Sequence, residues 1–237
     1  MRVCDEIRCE AFPCGDVRHE AFSTPCVDLD AAAVRVILVS EAAPGDPADG
    51  YEAGDDTLSA KTTVLAFREA GFAVETIDDV RSLGVHLTTA VKCAKTGAGI
   101  APATIRACAE LLERELALFP RTASLLLMGD VAIRAVNEIA RASREPRPVP
   151  AGATYRIRGG DFRFRGRRVY PSYLQAGPAY FVEASKRRMI AQDIAAAMAH
   201  AGVRGRRQAR PAVATAWWGS CETPARMQRC RSLIDDA

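Results

Sequence analysis

Residues 87–119 read LTTAVKCAKTGAGIAPATIRACAELLERELALF, and their reading decides the fold. Val85–Val91 is an apolar, β-branched run that predicts a buried strand, and Cys93 closes it. The Gly-rich stretch 97–99 breaks the strand, and Pro102 is well placed as the first residue of a helix reaching Phe119. That helix carries Cys108. A strand, a loop and a helix N-terminus in this order place polar loop atoms and unpaired backbone N–H groups at the carboxyl edge of a sheet. Ligands bind there in α/β proteins.

Working outward, Val34–Val39 is a continuous apolar run of the kind buried on both faces of a parallel sheet. Ser40–Gly54 is a loop by its Gly, Pro and Asp content, and Thr57–Ala70 has helical spacing. Ala73–Ile77 reads as a short strand. Ser124–Met128 reads as another, with Gly129-Asp130 opening a helix to about Arg141. The stretch Thr154–Arg168 alternates around Gly159-Gly160, a hairpin signal. Val169–Gly177 follows as a strand-end loop and Pro178–His200 as a helix. Alternating strands and helices predict a three-layer α/β/α sandwich around a central, mainly parallel four-stranded sheet. One domain is expected over residues 1–202, with a basic, poorly ordered tail over 203–237.

Charge divides the chain. Residues 1–120 hold 11 Lys/Arg against 20 Asp/Glu, whereas residues 121–237 hold 21 against 9. Six arginines fall between Arg156 and Arg168 and four between Arg204 and Arg210. Guanidinium forks fit phosphate, so a nucleic-acid partner is expected. A genome rich in G and C would give the same Arg and Ala bias. No apolar run is long enough for a membrane span, and the start MRVCDEIRCE has no secretory h-region. A monomeric, cytoplasmic, nucleoid-associated protein is expected.

Eight cysteines are many for such a compartment, where disulfides seldom persist, so metal binding or redox chemistry is the leading explanation. Cys93 and Cys108 flank the central loop, and Cys4, Cys9 and Cys14 lie upstream at intervals of five. Two upstream thiolates with this pair would hold an iron–sulphur cluster or zinc, although Cys108 also suits a helix core beside Ile105 and Leu112. Cys26, Cys221 and Cys230 have no partner at a convincing spacing. His19, His86 and His200 suggest neither a triad nor a zinc site, and Gly97-Ala98-Gly99 is too short for a nucleotide fingerprint.

Several segments together resemble the uracil-DNA glycosylase superfamily, in particular its iron–sulphur (family 4) branch. The family's apolar strand into Gly-Glu-x-Pro-Gly is matched by Ser40-Glu41-Ala42-Ala43-Pro44-Gly45, with one inserted residue. Its Asn-Val-Val-Lys-Cys appears as Thr89-Ala90-Val91-Lys92-Cys93, and the following helix cysteine as Cys108. Its Leu-Gly-x-x-Ala is matched by Met128-Gly129-Asp130-Val131-Ala132, and its His-Pro-Ser-x-Leu by Tyr170-Pro171-Ser172-Tyr173-Leu174. The resemblance implies removal of uracil, or of other deaminated or damaged bases, from DNA. It also implies a structural [4Fe–4S] cluster, with Cys9, Cys14, Cys93 and Cys108 as ligands and Cys4 as a substitute for Cys9 or Cys14.

On that resemblance Glu41 is the catalytic carboxylate, with Asp46 and Asp49 as further groups able to place a water. Thr89 stands where the family reads uracil with Asn, and Tyr170 where it has the His that donates to the leaving base. A phenol with a pKa of about 10 is a weaker electrophile than an imidazolium. Backbone donors around Ser172 would share that work. Tyr51 would stack on the flipped base. Arg187, on a helix face with Ile190 and Ile194, would reach the nucleotide phosphate or else pair with a local carboxylate. Lys186 and Arg188 would make non-specific phosphate contacts. The rival readings are a non-catalytic iron–sulphur protein that binds damaged DNA, and a zinc protein with no role in DNA.

Overall fold

The computed structural model describes residues 1–177 and 179–205. The basic stretch from residue 206 onward, with Cys221 and Cys230, lies outside the described residues. Six strands form one sheet among them: β1 (Val17–Arg18), β2 (Val36–Ala43), β3 (Val85–Lys95), β4 (Ser124–Met128), β5 (Phe162–Phe164) and β6 (Arg167–Ser172). The spatial order is β1-β3-β2-β4-β6-β5. The four inner strands run parallel, and the two edge strands pair antiparallel with their neighbours.

The expectation of four strands is therefore corrected to six. The additions are edge strands of two and three residues, too short to leave a periodic signal. The short strand expected over Ala73–Ile77 does not form. Thr76 and Asp79 close a capping box, each side chain bonding the other's backbone N–H, and start the helix α3 (Ile77–Ser82). The hairpin turns at Arg165-Gly166, where both residues have positive φ, rather than at Gly159-Gly160. Thr154–Ile157 is instead a single helical turn.

The remaining helices are α1 (Val3–Glu6), α2 (Leu58–Glu69), α4 (Pro102–Ala117), α5 (Asp130–Ala142), α6 (Thr154–Ile157), α7 (Ala179–Val182) and α8 (Ala184–His200). The helix expected over Pro178–His200 is broken at Glu183, the N-cap of α8. Side chains alternate across the sheet. Ile37, Val39, Leu125 and Leu127 pack toward α4 and α5, whereas Val36, Leu38, Leu126 and Met128 pack toward α2, α3 and α8. Both faces of β2 and β4 are covered, so both strands are apolar without interruption. Each such side chain contributes about 1.5–3 kcal/mol by leaving water. No described helix is long and apolar enough to cross a membrane.

The N-terminal segment is fastened to the central loop by one side chain. Ala101, the N-cap of α4, has no side chain able to cap, and Asp16 supplies the acceptor from far away in sequence. Its carboxylate takes the Ala101 N–H at 2.6 Å and bonds the Thr104 hydroxyl, and these bonds lower its pKa. With the β1–β3 pairing, this carries Cys14 to the strand end that holds Cys93.

Candidate active site

A cavity of about 560 Å³ opens at the carboxyl edge of β2 and β3. Its walls come from segment 21–25, the β2 end with its loop, the first residues of α2, Leu87–Thr89 of β3, and Leu174–Gly177 after β6. The carboxyl-edge location expected from the sequence is thus where the cavity lies.

Glu41 is half-buried in this wall at the end of β2. Its carboxylate rests against Gly129, the N-cap of α5, where φ is +99° and any Cβ would collide with Glu41. Only glycine permits both the backbone angle and the approach. The carboxylate consequently sits at the positive end of a 13-residue helix, a favourable place for an anion. Asp49 lies in an exposed turn of the same wall. Asp46 is outside the lining and accepts the Ala48 N–H at 2.8 Å, holding its own loop.

Tyr51 contributes its ring to the wall while its hydroxyl is tied inward. It accepts from Gln175 Nε2 at 2.9 Å and lies 3.4 Å from Ser40 Oγ and 3.3 Å from Thr63 Oγ1. Burial pushes the phenol pKa up, so it is neutral. Gln175 is fully buried and also donates to Ser40 at 3.0 Å, locking the loop after β6 to β2. Nothing in the sequence marked it beyond its position next to Leu174.

Thr89 lines the cavity beside Ser40, its partner across the β2–β3 ladder. Below it lies a fully buried ionic group. Lys92 Nζ donates to Thr88 Oγ1 at 2.8 Å, to the Thr89 carbonyl at 2.6 Å, and to Glu115 of α4. His86 Nε2 meets Glu115 Oε1 at 2.8 Å. Burial alone would raise the Glu115 pKa, but Lys92 and His86 outweigh it and hold the carboxyl down to about 2. A satisfied buried pair of this sort is strongly destabilising to break.

The structure does not bring Tyr170 to the cavity. The strand continues through Ser172, with Leu127 opposite Pro171 and Met128 opposite Ser172, so Tyr170 lies mid-strand opposite Leu126. Its ring packs toward α8, 6.5 Å from His200, with Arg168 5.5 Å above it. Ser172 is also elsewhere, buried and donating to Asp193 at 2.7 Å. Arg187 pairs with Glu69 and stacks 5.3 Å over Tyr180, in a separate shallow depression that Arg188 shares. Of the two partners considered for Arg187, a local carboxylate is the one found. Lys186 pairs with Glu183 at 2.7 Å and stacks over Tyr173, next to the cavity loop.

The six arginines of 156–168 find partners within their own chain, with Arg156 and Arg163 at the surface. Arg158 binds Asp193, Arg165 binds Glu113 and Glu145, and Arg163 and Arg168 bind Asp161. Arg167 donates to the carbonyls of Leu116 and Phe119, and Arg156 stacks on Tyr155. Arg167 and Arg168 lie at the start of β6, level with Ser124, and therefore at the edge opposite the cavity.

Cys4 and Cys26 form a disulfide, which removes Cys4 as a substitute ligand and gives Cys26 the partner its spacing had not suggested. Cys9, Cys14, Cys93 and Cys108 are unpaired. Burial first, then the proximity of Cys108, Cys9 and Cys14, pushes the Cys93 thiol up to about 12. Cys108 accepts the backbone N–H of Lys92, while burial raises its pKa. Four cysteine sulphurs, three of which bear on the thiol of the fourth, Cys93, match the donor chemistry of an iron–sulphur group. Among the described residues, however, no three Cys, His, Asp or Glu gather closely enough to grip a single metal ion.

No family model matches the chain. Over 83 residues it is 36% identical to the Type-5 uracil-DNA glycosylase of Thermus thermophilus. The match supports the uracil-DNA glycosylase superfamily. It covers 35% of this chain and 38% of that protein, well under two thirds of either.

Proposed function

We propose that this protein is a DNA glycosylase that receives an extruded base in the carboxyl-edge cavity and hydrolyses its N-glycosidic bond. Uracil is the first substrate, and the product is a free base with an abasic site, as in base-excision repair. The observation that carries this reading is Glu41, a carboxylate seated on a helix N-terminus within a cavity walled by Tyr51. Breaking the C1′–N bond leaves positive charge on the sugar and negative charge on the base. Glu41 stabilises the sugar cation and orients a water, whose oxygen bonds to C1′ while its proton leaves through the carboxylate toward the base. Asp49 is the second carboxylate within reach of that water. Tyr51 stacks on the base, contributing about 1–3 kcal/mol against the cost of extrusion.

Thr89 and the backbone of the loop after β6 border the base on this reading. Lys186, beside that loop, and Arg188, in the separate depression, are the proposed phosphate contacts, and DNA with uracil or damaged bases is the proposed partner. Cys9, Cys14, Cys93 and Cys108 would hold a [4Fe–4S] cluster, whose role there is to brace the N-terminal segment against β3 and α4. Among the described residues no imidazole lines the cavity, and this observation favours a second reading, binding of damaged DNA without cleavage. Incubation with a uracil-containing oligonucleotide followed by alkali separates the two. Strand cleavage at the uracil supports the glycosylase. Retarded mobility with no cleavage supports the binder.

A further inference from the structure

A DNA strand that brings a nucleotide to this cavity must pass carboxylates. Glu41, Asp49 and Glu52 line the wall, and among the described residues only Glu52 is paired, with Arg81. Residues 46–56 hold five Asp/Glu and no Lys/Arg. A polyanion drawn there needs cations close by to offset the repulsion. Two stand on the side of the cavity formed by β1 and β3. Lys95, the last residue of β3, is the one Lys or Arg in the described lining. Arg18 of β1 donates through one guanidinium nitrogen to the carbonyl of Gly45, which is itself in the lining. The β1–β3 ladder sets the two cations on adjacent rungs, with Val17 opposite Lys95 and Arg18 opposite Ala94. Both side chains are exposed, and neither has a carboxylate partner among the described residues, in contrast with Arg165, Lys186 and Arg187. Lys95 uses one of its three protons on the Ala98 carbonyl at 3.3 Å, and the Arg18 guanidinium carries five donors in all. Beside them the backbone is open. Gly97 and Gly99 are exposed, and a Cβ at either would meet nothing within 4 Å. The N–H groups of Gly97, Ala98 and Gly99 have no protein acceptor among the described residues.

We propose that Arg18, Lys95 and the Gly97–Gly99 loop bind the phosphodiester backbone of the DNA strand whose base enters the cavity. The proposal rests on the reading of this cavity as a base pocket and deepens it by assigning a side of the cavity along which that strand runs. Lys186 and Arg188 belong to α8, which packs on β4 and β6, on the other side of β2 in the strand order from β1 and β3. The strand is thereby held on both flanks of the extruded nucleotide. Arg18 and Lys95 position the backbone and read no base, because a phosphate is the same at every nucleotide. Their effect falls on affinity and on its salt dependence, since each neutralised phosphate releases counterions.

The test measures binding of a single-stranded, uracil-containing oligonucleotide to wild type, Lys95→Ala and Arg18→Ala across a range of salt. Each variant should bind about 3–10-fold more weakly at low salt, with a plot of log affinity against log salt less steep by about 0.7. A second arm replaces the phosphates flanking the uracil, one at a time, with uncharged methylphosphonates. At the contacted position wild type should lose a similar factor, and the variant lacking the cation should lose nothing further. If an alanine variant does not fold, the glutamine substitution takes its place. Wild-type affinity and salt slope in either variant overturn the proposal. Weaker binding with an unchanged slope, or a methylphosphonate penalty undiminished in either variant, also overturns it, because the side chain would then hold its own loop rather than a phosphate. A wild type that binds without cleaving leaves the proposal standing and removes the glycosylase reading. A wild type that does not bind DNA overturns both.

Discussion

The two rims of one sheet are built from opposite charge logic. At the amino rim, Arg165, Arg167 and Arg168 face carboxylates and carbonyls of their own chain. At the carboxyl rim, the cavity wall is mostly neutral, with Glu41 against the N-terminus of α5, Lys95 in the wall and Lys92 buried beneath it. A run of arginines in a sequence is thus no map of a phosphate-binding surface. What decides is which rim of the sheet the run reaches and how many carboxylates it meets there.

The largest effect should come from the carboxyl rim. Glu41→Gln is expected to lower excision of uracil about 10²–10⁴-fold in single-turnover assays with little change in Tm. Gly129→Ala should do nearly as much by displacing the carboxylate, since its Cβ has no room beside Glu41. An active Gly129→Ala would show that the seat on α5 is not needed.

Next comes the buried group that joins β3 to α4. Lys92→Met leaves the buried Glu115 carboxylate with His86 as its remaining partner and should cost about 3–5 kcal/mol of stability, read by denaturant unfolding. Glu115 also sets an acid dependence. Its carboxyl is held at about 2 against 4.5 for an ordinary glutamate, so its stabilisation is complete above pH 4.5 and is lost as pH falls toward 2. Glu115→Gln should remove that part of the acid transition, and an unchanged pH profile would contradict the ion pair.

Smaller effects are expected at the amino rim. Arg165→Ala, which loses two partly exposed partners, should cost about 0.2–1 kcal/mol and leave excision and its salt dependence unaltered. A marked loss of DNA affinity would return the arginine run to the DNA interface. Smallest of all, Arg188→Ala should weaken DNA binding modestly and lower the salt slope by about one, with no change in base preference. Arg187→Ala should act on stability through Glu69 instead.

The inner architecture was legible because its signals are local. Val36–Val39 is apolar on both faces, Pro102 starts α4, and Thr57 caps α2 by accepting the Ala60 N–H at 3.1 Å. The strand expected at Ala73–Ile77 failed because its apolar residues hid a Thr-x-x-Asp capping box. The edge strands were invisible because pairing, rather than periodicity, makes them. In the site, Glu41, Tyr51 and Thr89 were readable as motif positions that end strands or follow them. Tyr170 and Ser172 were misplaced by the length of β6, which register against β4 determines. Gln175 and Lys92 acquire their roles only from partners 135 and 23 residues away, which no spacing rule reports.

The central claim is that the carboxyl-rim cavity, and not the arginine-rich hairpin, receives the base. Photocrosslinking a 5-iodouracil-containing oligonucleotide and mapping the modified peptide tests this without requiring turnover. The account predicts attachment within the segment holding Tyr51, abolished by competing uracil-containing DNA. Attachment to Phe162–Arg168 would contradict it.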